Sequence, residues 1–228
     1  MSKKILIVVT NHSIYDKTKE PTGLWLSELV HFYDLLKKQN YVLDIASVQG
    51  GEIPLDPGSV TERMLDEVTK KYYNDKDFME FLNNSRKLGE LDATQYAAIY
   101  FTGGHGTMWD FPESEEIAKH SQQIYENGGI VAAVCHGVGA LLNIKLSQGN
   151  YLVEGKEITG YSTKEEELAK ALDKIPFILE DALKERGAKY KKALLPFTSF
   201  TRVDERVITG QNPQSTSAVA KLVIKHLQ

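Results

Sequence analysis

The stretch Ile130 to Leu142 reads IVAAVCHGVGALL, and its reading decides the fold. It begins as a short apolar run, Ile130-Val131-Ala132-Ala133-Val134, which suits a buried strand. It continues as Gly137-Val138-Gly139-Ala140-Leu141-Leu142, small and then apolar, which suits a helix packed closely on a sheet. Between the two lie Cys135, the only cysteine of the chain, and His136. A sharp strand-to-helix turn pushes a side chain out of the sheet and toward the backbone N–H groups of a helix N-terminus. Those partial positive charges favour a thiolate, the nucleophilic form. Gly137 lets helix and strand approach closely. The stretch therefore reads as a nucleophile elbow with cysteine in place of serine. The plainer alternative is a small buried hydrophobe at a strand end.

Outward from this stretch, strands and helices alternate. Lys4 to Thr10 is a continuous β-branched run of the parallel-sheet type. Leu24 to Lys38 carries Leu24, Leu29, Phe32, Leu35 and Leu36 at helical spacing, and Tyr41 to Ser47 is a second strand. Strand, helix and strand make a βαβ unit. The segment 59–90 is charged and aromatic, with Met64, Leu65, Val68, Tyr72, Phe78, Phe81 and Leu82 at helical spacing, and reads as a helical insertion. Ala97 to Phe101 is a strand ending in Thr102-Gly103-Gly104-His105-Gly106, and Glu113 to Asn127 is a helix closed by Gly128-Gly129. Beyond the elbow, 152–159 carries a Glu-Gly-Lys turn, and 164–172 and 176–186 read as helices. Leu194 to Phe200 and Arg206 to Thr209 read as late strands, and Ser215 to His226 as a closing helix. The expectation is one doubly wound α/β domain over 1–228, with a mostly parallel sheet and helices on both faces.

Composition narrows the function classes. The 228 residues are 42% hydrophobic and 25% charged, enough for one substantial core. The net charge of −4 is mixed throughout, and no basic run of the nucleic-acid type occurs. No apolar stretch is long enough to span a bilayer. Met1 to Lys4 followed by Ile5 to Val9 superficially resembles a signal peptide. The apolar run is too short, and Asn11, His12 and Asp16 follow it without a small-residue cleavage pattern. A lone cysteine excludes an internal disulfide framework, so the cytoplasm is the expected compartment.

In open parallel sheets ligands bind beyond the carboxyl ends of the strands, where several suggestive groups fall. Gly103 and Gly104 are placed to aim backbone N–H groups at an oxyanion, together with the N–H of His136. A phosphate loop is disfavoured, because the Lys-Ser/Thr of a P-loop and the spacing of a dinucleotide fingerprint are both missing. His136 is a candidate general base that needs an orienting partner. Glu165, Glu166 and Glu167 are the downstream acids, with favourable charge at a helix start as their plain alternative. Glu28, if buried, has a raised pKa and stays protonated to donate to a thiolate; a solvated helix glutamate is the alternative. His12, His31, His105 and His120 do not cluster in sequence as metal ligands, so no metal and no cofactor is expected.

The pattern resembles the ThiJ/PfpI superfamily, related to class I glutamine amidotransferase domains. Within it the chain is similar to the stress-induced heat-shock chaperones with glyoxalase III activity. The matching stretches are Lys4 to Thr10, Thr22-Gly23 through Glu28, Thr102 to Thr107 with Asp110-Phe111-Pro112, Asn127 through Gly137, Gly155 to Tyr161 and Thr209 to Ser215. Two positions depart from the pattern: Val138 stands where proline is common, and 197–200 lacks a frequent tryptophan. The resemblance implies a flavodoxin-like sheet sandwiched by helices, and a homodimer. It implies Cys135 as nucleophile, Glu28 hydrogen-bonded to its sulfur, His136 as the adjacent triad histidine and Glu166 as the triad acid, with Glu165 as fallback. Gly103, Gly104 and His105 would form the oxyanion- and substrate-binding edge. The implied activity is conversion of a small 2-oxoaldehyde, methylglyoxal, to lactate without glutathione. The rival readings are amidase, peptidase or deglycase chemistry at the same cysteine, and a non-enzymatic chaperone or redox sensor.

Overall fold

The computed structural model describes residues 3–228; Met1 and Ser2 of the leader comparison lie outside them. The strands are β1 (Lys4–Val9), β2 (Val42–Ser47), β3 (Arg86–Lys87), β4 (Ala98–Phe101), β5 (Ile130–Val134), β6 (Glu157–Ile158), β7 (Lys189–Tyr190), β8 (Thr201–Asp204) and β9 (Val207–Gly210). The helices are α1 (Leu26–Lys38), α2 (Glu67–Tyr73), α3 (Lys76–Asn83), α4 (Thr107–Asp110), α5 (Glu115–Glu126), α6 (Thr163–Ala169), α7 (Leu179–Glu185) and α8 (Thr216–Leu227). One sheet runs in the order β3-β2-β1-β4-β5-β9-β8, and β6 pairs with β7 separately. Every pairing in the main sheet is parallel except β8 with β9.

Successive side chains of a strand point to opposite faces, so a strand buried at every position is covered on both. All of Ile130–Val134 is buried, as is Ile5 through Val9. Helices α1 and α8 pack on one another, α8 lies on β5 and β9, and α5 packs on β4 and β5. The result is the flavodoxin-like, doubly wound α/β arrangement expected. Its order reverses beside β1: β2 is added on one side, β4 on the other. The carboxyl ends of β1, β4 and β5 therefore surround a natural ligand crevice.

Three local expectations are corrected. The segment 194–200 is not a strand; the antiparallel edge begins at Thr201. Pro196 has no N–H for a ladder, and buried side chains take up the neighbouring backbone instead. Ala193 N donates to Gln211 Oε1, Phe197 N to Glu165 Oε1, and Phe200 N to Ser215 Oγ. The stretch after Cys135 is a 3-10 segment, Cys135–Leu141, not an α-helix. Gly137 and Gly139 disfavour α-helix propagation there. The insertion is indeed largely helical, but it breaks at Asp75, whose carboxylate caps α3, and it ends in edge strand β3. Among the described residues no helix is long and apolar enough to cross a membrane.

Helix α1 is fixed to the sheet by an aromatic stack. Phe32 and Tyr100 lie 3.7 Å apart between centroids and 8° from parallel, both fully buried. The Tyr100 hydroxyl donates to the carbonyl of Glu28 at 2.9 Å, which ties the first turn of α1 to β4. Phe32→Ala is expected to lower the unfolding free energy by about 3–5 kcal/mol. Chemical denaturation read by circular dichroism checks it, with the half-exposed Met64→Ala as a near-neutral control.

Candidate active site

Strand β5 ends at Val134 and the chain turns at once. Cys135 has φ 57°, in the left-handed region, where a residue with a side chain carries strain of about 1–3 kcal/mol. This is the elbow expected. Cys135 is buried, and with His105, His136, Gly104 and Tyr161 it lines a cavity of about 370 Å³.

Glu28 comes in from the first turn of α1 and is wholly buried. Gly103 N donates to Glu28 Oε2 at 2.6 Å. Glu28 Oε1 has no oxygen or nitrogen partner, and the carboxyl faces the Cys135 side chain. A Cβ at Gly103 would stand 2.6 Å from Glu28 Oε2 and 2.8 Å from Cys135 Cβ. Only glycine lets the end of β4, the start of α1 and the elbow meet here. Its N–H is taken by Glu28, so Gly103 does not serve an oxyanion, contrary to expectation. Gly104, at φ 98°, does line the cavity.

Burial pushes the Glu28 carboxyl up to about 8, against the pull of Cys135 and the Gly103 N–H. At neutral pH the group is an acid with a proton to donate. Burial also pushes the Cys135 thiol well up, and a charge on Glu28 would push it further. The His136 N–H acts the other way and loses. Burial thus works against the expected thiolate and favours the proton staying on the sulfur. Loss of solvation of a buried anion outweighs what the N-terminus of one short 3-10 segment returns.

An imidazole lies beside that thiol. His136 Nδ1 lies 3.3 Å from Cys135 Sγ, and His136 Nε2 lies 2.6 Å from Glu166 Oε1. Adjacent side chains diverge along a strand; the left-handed turn at Cys135 brings these two together. Burial raises the Glu166 carboxyl, but His136 and His105 outweigh it and hold the group down at about 2. An ionised Glu166 accepts Nε2–H, which leaves the Nδ1 lone pair facing the thiol. Burial lowers the His136 pKa and His105 adds to that, with Glu166 opposing. The imidazole is thus neutral and free to take a proton.

Consecutive glutamates have separate tasks. Glu165, fully buried, accepts from Ser162 N and Oγ and from Gln211 Nε2 with Oε2, and from Phe197 N and Asn212 Nδ2 with Oε1. It forms a capping box at the start of α6 and pins the 193–200 loop to the end of β9. Glu166, one residue on, instead meets the imidazoles of His136 and His105. Sequence reasoning missed that His105 shares it: His105 Nε2 lies 3.1 Å from Glu166 Oε2, with its ring 4.0 Å from that of His136. So one histidine does cluster where sequence spacing offered none. His105, His136 and Glu166 present ligand atoms within 4.8 Å of one another, a set able to hold a metal ion. Also unforeseen are Trp25, Met64 and Phe197 in the cavity wall. For Phe197 the sequence signals were the apolar run at 194–197, which reads equally well as a strand, and the missing tryptophan of 197–200; Met64 shows only helical spacing and Trp25 no signal.

Removing Glu165 and neutralising Glu166 should separate stability from chemistry. Glu165→Ala leaves buried donors unpaired and is expected to cost about 3–5 kcal/mol, whereas Glu166→Gln should cost less than half of that in the same denaturant titration. The pH dependence of stability gives a second check. A raised Glu28 pKa means the folded state keeps a proton that the unfolded chain releases above its ordinary pKa of 4.5. Stability from this group is complete below pH 4.5 and falls as pH climbs through about 8. Melting temperatures across that window should fall less in Glu28→Gln than in the parent.

Residues 22–226 match the DJ-1/PfpI family. The chain is 30% identical to glyoxalase 3 of Candida albicans over 97% of either chain. It is 31% identical to a glutathione-independent glyoxalase of Schizosaccharomyces pombe over 90% of this chain and 89% of that one. The crystal structure of the Rapid Encystment Protein of Francisella tularensis superposes with a TM-score of 0.95 at 42% identity, covering 99% of both chains. With most of its length matched and relatives aligned nearly end to end, the chain belongs to the DJ-1/PfpI family.

Proposed function

We propose that the chain is a glutathione-independent glyoxalase, which isomerises and hydrates methylglyoxal to lactate at Cys135. The observation that carries this is the line Cys135 Sγ, His136 Nδ1, His136 Nε2, Glu166 Oε1, at 3.3 and 2.6 Å, in a cavity. Glyoxalase naming of the nearly full-length relatives supports it.

His136 takes the thiol proton as Sγ attacks the aldehyde carbon, giving a hemithioacetal with a hydroxyl on C1. Protonated Glu28 stands beside the sulfur and keeps anionic charge from accumulating against it. The base then removes the C1 proton, and C1 and C2 share an enediol. Return of the proton to C2 gives the 2-hydroxyacyl thioester, so that C1 is oxidised and C2 reduced within one molecule. Water cleaves the thioester, releasing lactate and restoring the thiol. Glu166 holds the imidazole and offsets its positive charge at each transfer. The N–H groups of Gly104 and His136 are the oxyanion donors of this reading. Cys135 itself supplies the thiol that forms the hemithioacetal, which is why glutathione is not required, and no outside oxidant is consumed. A cytoplasmic setting and a homodimer belong to the same proposal; an unpaired cysteine accords with the first, and light scattering tests the second.

Methylglyoxal consumption without added glutathione is the test. Cys135→Ala is expected to be inactive, and Glu166→Gln to lose roughly 10²–10⁴-fold in kcat/KM. Activity surviving in Cys135→Ala, or no turnover by the parent, overturns the reading. The pH profile adds a check. Activity rises as pH climbs through the depressed pKa of His136, below 6.5, and declines through about 8 as Glu28 ionises. Glu28→Gln should remove the alkaline decline.

A further inference from the structure

We infer that the cavity beyond the thiol is a subsite for an uncharged apolar substituent, so that the preferred substrates are 2-oxoaldehydes with longer tails than methylglyoxal. The inference rests on the glyoxalase reading above and names the substrate class for it.

Size is the first reason. The cavity measures about 370 Å³, inside the range of roughly 300–1,000 Å³ that encloses drug-sized ligands. Methylglyoxal, allowed about 30 Å³ per non-hydrogen atom, the volume of a liquid water, fills less than half of it. The reacting groups occupy only part of the wall. Trp25, Met64, Phe197 and Pro213 supply another part, and all four are apolar.

Backbone strain at Phe197 is the second, independent reason. Its φ is 57°, where a bulky aromatic residue is a true outlier. Strain of this kind persists only where the surroundings enforce it, and it gathers at ligand clamps. Here the enforcer is buried Glu165, which accepts Phe197 N–H at 2.8 Å. The strain gains no core packing, since Phe197 remains 39% exposed. What it does is set the ring 6.4 Å from Tyr161, whose own ring lies 4.3 Å from His136. Phe197 therefore stands one aromatic ring away from the base. Met64, brought by the insertion, is 41% exposed and lines the same cavity; its flexible thioether adapts to varied apolar shapes. His31 and Asp66 also line the cavity, but they pair at 2.7 Å and Asp66 caps α2. Both side chains are already engaged, Asp66 by His31 and by the Thr69 N–H, which favours a neutral tail over an ionic one.

A straight-chain series of 2-oxoaldehydes tests this, because lengthening the alkyl tail barely changes carbonyl reactivity. From methyl to butyl, kcat/KM is expected to rise about fourfold per methylene, as for burial of each CH₂. Phe197→Ala and Met64→Ser should each flatten that slope. A loss of folded protein lowers every substrate equally and leaves the slope alone, so the slope reads the subsite. A parent that turns over methylglyoxal with flat or falling kcat/KM along the series overturns the subsite and leaves the glyoxalase reading standing. A slope retained in both variants overturns the assignment to this wall. No turnover of any member overturns both.

Discussion

A cysteine held in a left-handed turn at the end of a fully buried strand is the constraint on which the site depends. The turn at Cys135 lifts its side chain from the sheet and directs it toward its own sequence neighbour, His136. It also determines what stands around it. The approach of Glu28 leaves no room for a side chain at Gly103. The first turn of α1 must therefore come down onto the end of β4, where Tyr100 and Phe32 hold it. The sheet order supplies the rest, since β1, β4 and β5 are neighbours and end at one crevice.

The electrostatics follow from burial more than from dipoles. Cys135 and Glu28 are buried together, and a negative charge on both would be costly. The arrangement lets neither ionise readily at neutral pH: Glu28 keeps its proton, and the thiol awaits a base. His136 is kept neutral by the same burial, and Glu166 is kept charged by two imidazoles. Differences in environment thus sort the four groups by protonation, and the proposed roles of acid, nucleophile, base and counter-charge rest on that sorting. Structural duties fall to the neighbouring Glu165, whose carboxylate is saturated by donors from α6, the 193–200 loop and the end of β9.

Much of this is legible in the sequence because it is local. The apolar run 130–134, the glycines after β4 and the Cys-His pair announce strand, close approach and elbow within a few residues each. What is not legible is set by distant packing. The raised thiol pKa comes from burial of Cys135 beside Glu28, which a distant helix brings to the elbow, and the simple rule about helix N-termini predicts the opposite sign. The His105–Glu166 contact joins residues that are 61 positions apart. The 193–200 loop carries strand-like residues, yet its backbone is satisfied by side chains of Glu165, Gln211 and Asn212 rather than by a neighbouring strand. The 3-10 segment after Cys135 likewise departs from a helical expectation because Gly137 and Gly139 weaken α-helix at the point of tightest packing.

In the proposed mechanism Cys135 rests as a neutral thiol beside protonated Glu28 and is deprotonated only as substrate arrives. Because the chain has a single cysteine, the rate of its alkylation by iodoacetamide as a function of pH reports on this group alone. Slow modification is expected at neutral pH, rising with alkali and reaching no plateau below the ordinary thiol pKa of about 8.5. A plateau already complete near pH 6, the signature of a preformed thiolate, would contradict it.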